Sequence, residues 1–147
     1  MDPKNNADIL REIVRLLERK LGVLNDLESS CCGVTFTQCH AIVEIGRAQS
    51  ISLNDLAELL ELDKSTLSRT INNLVQSGLV SREIDSKDRR YITIQLTAKG
   101  LQSFKEIEEG MGAYFDQIYQ SIPEAKRAQV IESLQLLVQA IPENNCC

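Results

Sequence analysis

The stretch that most constrains this chain runs from residue 52 to residue 100, where two short amphipathic helices abut and then give way to a period-two pattern. Leu56, Ala57, Leu59 and Leu60 form the inward face expected of a helix over 54–62, and Leu67, Ile71, Leu74 and Val75 do so for a second over 64–76. Only Leu62-Asp63 separates them, and Asp63 is a short carboxylate suited to capping the second helix. Ser77-Gly78 closes that helix, glycine being the usual residue just past a helix end. Leu79 to Ile84 and Tyr91 to Leu96 then alternate, with Ile92, Ile94 and Leu96 on one side and Thr93 and Gln95 on the other. The polar run Asp85-Ser86-Lys87-Asp88-Arg89-Arg90 lies between them, which predicts a two-stranded hairpin with a charged tip.

The flanks are helical. Ile9, Ile13, Leu16, Leu17, Leu21 and Leu24 recur at spacings of three and four and predict a helix from 8 to 28, ended by Glu28-Ser29-Ser30 and Gly33. A second helix starts near Thr35, with Gln38 at capping-box spacing, and carries Phe36, Cys39, Ile42, Val43 and Ile45. Ile51-Ser52-Leu53 is long enough for one strand rung. Leu101, Phe104, Ile107, Met111, Phe115 and Ile118 make the stripe of a long helix begun at Thr97. Pro123 is expected in the first turn of a last helix striped by Val130, Ile131, Leu134, Leu137, Val138 and Ile141, with Pro142 ending it. The expected fold is mainly α with a small β-wing, a single domain over 1–147 with a winged helix-turn-helix at 35–97. The segments 8–30 and 98–141 have wide apolar stripes with no obvious partner within the chain, so they are expected to be dimerisation helices. A two-fold axis would then set two copies of the 64–76 helix about one DNA turn apart, ~34 Å.

A net charge of −5 argues at first sight against a nucleic-acid partner, but the charge is unevenly placed. Lys64, Arg69, Arg82, Lys87, Arg89, Arg90 and Lys99 outnumber the carboxylates of residues 63–100, leaving that segment at +3 and the rest at −8. A local basic stripe on an acidic body can engage phosphate while the body sets orientation. With 43% apolar and 25% charged residues over 147 positions, the chain is expected to fold around a real core. No apolar run approaches the ~20 residues of a membrane span, and the start of the sequence does not read as a secretory signal, so the expected compartment is the cytoplasm.

A helix fits the major groove, where side chains of its N-terminal half reach base edges. Lys64, Ser65, Thr66, Ser68, Arg69, Asn72 and Asn73 are polar positions of the second short helix, with Arg69 suited to guanine and Asn72 or Asn73 to adenine. Ser65, Thr66 and Ser68 suit phosphate or base contacts, and the helix N-terminus favours phosphate by its dipole. At the hairpin tip, Arg89 and Arg90 are placed for a flanking minor groove, with Asp85 and Asp88 able to brace these arginines, and Lys87 is a further candidate DNA contact. The segments Ser52-Leu53-Asn54-Asp55-Leu56-Ala57, Asp63-Lys64-Ser65-Thr66-Leu67-Ser68-Arg69, Leu74-Val75-Gln76-Ser77-Gly78-Leu79-Val80, the tip, and Leu96-Thr97-Ala98-Lys99-Gly100 together resemble the MarR family of transcriptional regulators. The resemblance implies a homodimer built from the first and last helices. It also implies a pseudo-palindromic operator on double-stranded DNA, and usually repression relieved by a ligand, metal or oxidant. It assigns DNA binding to the wing aspartate and arginines, here Asp88, Arg89 and Arg90.

Five cysteines stand in two clusters, Cys31, Cys32 and Cys39 between and on the first two helices and Cys146 and Cys147 at the chain end. Their odd number and adjacent pairs do not read as a disulfide framework. Soft thiolates bind zinc, cadmium, mercury or trivalent arsenic, so a thiophilic metal or metalloid is the leading effector expectation, with no obligatory cofactor. An oxidant sensor and incidental thiols are the alternatives. A thiol-rich metal carrier without DNA function is the rival from another class. His40 is the only histidine and points away from Cys39, a candidate for the core or a ligand cleft. No glycine-rich phosphate loop, Ser-His-Asp set or carboxylate pair in a nameable pocket is legible, so no enzyme is expected.

Overall fold

The structure is a computed structural model that describes residues 3–32 and 34–142, with side chains described for 5–22 and 34–142. The elements are α1 (Pro3–Cys32), α2 (Phe36–Ala48), β1 (Ile51–Ser52), α3 (Leu53–Leu59), α4 (Lys64–Gln76), β2 (Val80–Ile84), β3 (Ile92–Leu96), α5 (Ala98–Ser121), a single 3-10 turn (Glu124–Lys126) and α6 (Arg127–Ala140). They divide into two units, Met1–Glu108 and Glu109–Cys147, with the boundary inside α5.

The first unit holds the core. Ala41, Ile42 and Ile45 of α2, Leu56 and Ala57 of α3, Leu67, Ile71 and Leu74 of α4, Val80 of β2 and Ile94 of β3 are all buried. Each helix ends for a local reason. Thr35 caps α2 in a capping box: its hydroxyl accepts from the Gln38 backbone N–H while the Gln38 side chain accepts from the Thr35 N–H at 3.0 Å. Ser52 caps α3 and Asp63 caps α4, each accepting a backbone N–H three residues on.

Both helices of the helix-turn-helix close with the same Schellman motif. In α3 the N–H of Leu62 donates to the Ala57 carbonyl at 3.0 Å and that of Glu61 to Glu58 at 3.2 Å. In α4 the N–H of Leu79 donates to Leu74 at 2.9 Å and that of Gly78 to Val75 at 3.0 Å. The left-handed residue is Gly78 (φ 76°) in one and Glu61 (φ 54°) in the other. Glu61 is the reason α3 stops at Leu59 rather than running to residue 62. Leu59, the last residue of α3, is 54% exposed, where the apolar spacing predicted an inward position, because at about 100° per residue it lies well off the direction shared by the buried Leu56 and Ala57.

The hairpin forms as expected but as part of a three-stranded antiparallel sheet in the order β1-β3-β2. Ile51 pairs with Ile94, and Val80 with Leu96 through to Ile84 with Ile92. The chain then enters α5 through a close junction. The Thr97 N–H donates to the Leu79 carbonyl at 3.1 Å, and the Thr97 hydroxyl donates to the Gly78 carbonyl and accepts from the Gly100 N–H at 3.1 Å. Gly100 passes so near β2 that a Cβ there would lie 1.9 Å from the Leu79 oxygen. That is the physical reason for Leu-Thr-x-x-Gly at this point.

α1 begins at Pro3, earlier than its apolar stripe, because proline suits a first helical turn and residues 4–8 extend the helix without joining the stripe. Its apolar side chains lie open: Ile9, Ile13, Leu16, Leu17 and Leu21 are all exposed, Ile13 at 58%.

In the second unit, Pro123 precedes a 3-10 turn and α6 starts only at Arg127, so proline is not in the first turn of that helix as expected. The Arg127 guanidinium donates to the carbonyls of Tyr119, Gln120 and Ile122 at 3.0–3.1 Å and lies over the Tyr119 ring, closing the C-terminus of α5. No described residue of this unit is fully buried, and Ile131, Leu134, Leu136, Val138 and Ile141 of the last helix and its end are exposed. Among the described residues, no helix is long and apolar enough to cross a membrane.

Candidate nucleic-acid interface

α4 buries Leu67, Thr70, Ile71 and Leu74. At roughly 100° per residue, the ridge opposite them carries Ser65, Arg69, Asn72 and Gln76, with Ser68 and Asn73 beside it. Arg69, Asn72, Asn73 and Gln76 are exposed. Gln76 shares that ridge and was not singled out from the sequence, because it falls at the end of the helix where the polar density drops.

The N-terminus of α4 differs from expectation. Asp63 accepts the Thr66 backbone N–H at 3.0 Å, and both the Ser65 and Thr66 hydroxyls donate to its carboxylate. These bonds hold the Asp63 carboxyl well below the usual carboxylate range, the Ser65 bond contributing most. A carboxylate therefore sits at the positive end of the helix and takes up the Thr66 N–H, so a phosphate approaching that end meets a like charge. Ser65 and Thr66 have no hydroxyl proton left to donate outward. Lys64 beside them is exposed and makes no ion pair among the described residues.

The wing tip is built around Asp88. Its carboxylate accepts from the Arg90 backbone N–H at 3.0 Å and from Arg90 Nε and Nη2 at 3.0 and 2.9 Å, a two-pronged ion pair. Arg90 holds the Asp88 carboxyl below its ordinary value, and Asp88 raises the guanidinium in return. The other face of Arg90 remains open, the side chain being 88% exposed. Asp85 accepts the Lys87 backbone N–H at 2.8 Å and so shapes the turn rather than bracing an arginine. Lys87 and Arg89 project as exposed cations with no ion pair among the described residues.

Two basic residues of the segment have local work. Lys99 donates to the Ser77 carbonyl at 2.9 Å, at the negative end of α4. Arg82 of β2 donates to the Asn72 side-chain oxygen, tying the wing strand to the exposed ridge of α4. Arg82 counted in the sequence only as charge, since strand parity alone does not say which helix residue it meets.

His40 is exposed, edge-on to Phe36 with ring centroids 4.2 Å apart, and is not a core residue. With Phe36, Thr37, Glu44, Leu59, Leu60 and Leu62 it lines an open cleft of about 420 Å3 between α2 and α3. Cys39 is buried at 4% exposure. The side chains of Cys31, Cys32, Cys146 and Cys147 lie outside the described residues, and among the described ones no three metal-ligating side chains cluster.

A short helix pair presenting a polar ridge, followed by a hairpin with a cationic tip, defines a winged helix-turn-helix protein. Residues 33–90 match the MarR family model. Over 105 residues the chain is 26% identical to an HTH-type transcriptional regulator, BilQ, of Clostridium symbiosum, covering 71% of this chain and 73% of that one. Over 108 residues it is 28% identical to the HTH-type transcriptional repressor MdtR of Bacillus subtilis, covering 74% and 70%. Among solved structures, Staphylococcus aureus MepR bound to DNA superposes with a TM-score of 0.80 at 19% identity, over 89% of this chain and 97% of that one. Streptococcus pneumoniae FabT in complex with DNA gives 0.79 at 22% identity, over 88% and 95%. Residues 33–90 are thus similar to the MarR family, and the relatives that match are HTH-type transcriptional regulators.

Proposed function

We propose that this protein is a homodimeric transcriptional repressor that binds a pseudo-palindromic operator and responds to a thiophilic metal or metalloid. The observation that carries the DNA reading is the exposed ridge of α4, tied by Asn72 and Arg82 to a wing that ends in the open cations Lys87 and Arg89. A ridge of small polar groups and one arginine suits base edges, and wing cations suit phosphates or the minor groove. The DNA-bound states of MepR and FabT, which share the fold, support the same use of these elements.

Dimerisation is supported by the apolar stripes of α1 and of the second unit, which the single chain leaves open to water. A second copy is the partner whose stripes match by symmetry. Such a regulator works in the cytoplasm. The effector reading rests on the clustered cysteines and on the position of Cys39 inside the core. An ion reaching that thiol must disturb the packing of α2, which gives metal binding a route to the fold.

The test is fluorescence anisotropy of the reduced protein on DNA from its own upstream region, with trivalent arsenic, cadmium, zinc and peroxide titrated separately. The proposal expects salt-sensitive binding that one thiophilic ion alters. It also expects a Cys31→Ser/Cys32→Ser/Cys39→Ala variant to bind DNA and ignore that ion. DNA binding that responds to peroxide alone would replace the metal by an oxidant, and metal binding without any DNA affinity would make the protein a carrier.

A further inference from the structure

The bond between Arg82 and Asn72 changes what the recognition ridge can read. Val80, Arg82 and Ile84 share one face of β2 by alternation, and Val80 on that face is buried where α4 packs on the strand. Arg82 therefore leaves the sheet on the side of α4 and reaches Asn72, ten residues back in sequence. A guanidinium has five N–H donors and no acceptor, so the Asn72 atom that faces it has to be Oδ1, as found. The amide is thereby oriented, with its acceptor held by a cation and its NH2 group directed elsewhere.

An unrestrained asparagine reads adenine by offering one acceptor and one donor to N6 and N7. Here Arg82 fills one of the two acceptor positions of Oδ1 and brings a positive charge beside it, which disfavours a further donor there, so that Asn72 and Arg82 together present amide and guanidinium N–H groups. The major-groove edge that matches a donor-rich pair is guanine, with acceptors at both O6 and N7. Resting on the DNA-binding reading above, we infer that Arg82 is a positioning residue that turns Asn72 from an adenine reader into a guanine reader. The two side chains act as one specificity determinant in each half-site. This revises the sequence-based expectation for Asn72.

The experiment is selection of duplexes from a randomised library by the full chain, followed by anisotropy on single-base variants. It compares wild type, Arg82→Ala, Arg82→Lys, Asn72→Ala and the Arg82→Ala/Asn72→Ala double variant, each checked for an unchanged melting curve. The wild type should select guanine at one position of each half-site and lose about tenfold in affinity when it becomes adenine. Arg82→Ala should reverse that preference toward adenine. Arg82→Lys, which keeps a donor for Oδ1, should retain guanine. In the Asn72→Ala background, removing Arg82 should no longer alter base preference. The inference is overturned if Arg82→Ala weakens all duplexes equally and keeps the wild-type preference, since Arg82 is then a phosphate contact. It also falls if the wild type selects no sequence, and in that case the proposed function falls with it.

Discussion

At the scale of single residues, three glycines make different demands on the fold. Gly100 meets the Leu79 carbonyl, and a methyl group there forces backbone to move. Gly78 has open space around it but sits at φ 76°. Gly110 has open space within a helix and an ordinary backbone. Alanine should therefore cost roughly 2–3 kcal/mol at Gly100, cost about 1 kcal/mol at Gly78 and stabilise by ~0.5 kcal/mol at Gly110. Urea unfolding of the three variants checks the order, and equal effects at Gly78 and Gly100 would contradict it. Gly78 was legible in the sequence as a helix stop, whereas the reason for Gly100 needed the path of β2 beside it.

Asp63 titrates in a direction fixed by its bonds. Its folded carboxyl lies below the ordinary value, so its stabilising effect is complete above the unfolded pKa, ~3.9, and is lost as pH falls further toward the folded value. The gap in melting temperature between wild type and Asp63→Ala should hold steady from pH 8 to about 5 and narrow below about pH 4. A gap that closes above about pH 5 would mean that the cap bonds do not hold the charged form.

At the scale of elements, the helix-turn-helix was readable because its signals are local. The cap at Asp63 and the stop at Ser77-Gly78 gave α4 its observed bounds, Lys64–Gln76. The end of α3 was not readable, since a left-handed glutamate carries no sequence signal of the kind glycine does. Nor was the division of labour within the wing, where Asp88 orients Arg90 and leaves Arg89 open. That division predicts unequal variants. Arg89→Ala should weaken DNA binding and lower the salt slope by about one. Asp88→Ala should weaken binding without removing a cation, by letting the Arg90 side chain lose its orientation. Binding measured from 50 to 300 mM salt separates the two, and identical slopes for Arg89→Ala and Asp88→Ala would contradict this account of the tip.

At the scale of the whole molecule, the core lies within residues 34–107, while the long helices on either side keep apolar stripes open. The apolar stripes themselves were legible from their spacing, but the lengths of α1 and α6 were not, because proline sets where each can begin only through its neighbours. If a second copy covers the stripes, Ile13→Glu should shift the protein from dimer to monomer in sedimentation equilibrium and weaken operator binding at least tenfold through loss of the paired half-site. A variant that stays dimeric with unchanged affinity would remove α1 from the interface.

Fluorescence anisotropy of the reduced protein on a duplex from its own upstream region, set against a scrambled duplex of the same length, tests the central reading most directly. The predicted result is saturation at two chains per duplex, affinity that falls steeply with salt, and a preference for the upstream sequence of at least a thousandfold. Equal affinity for both duplexes, or none for either at low salt, would show that the ridge of α4 does not read DNA.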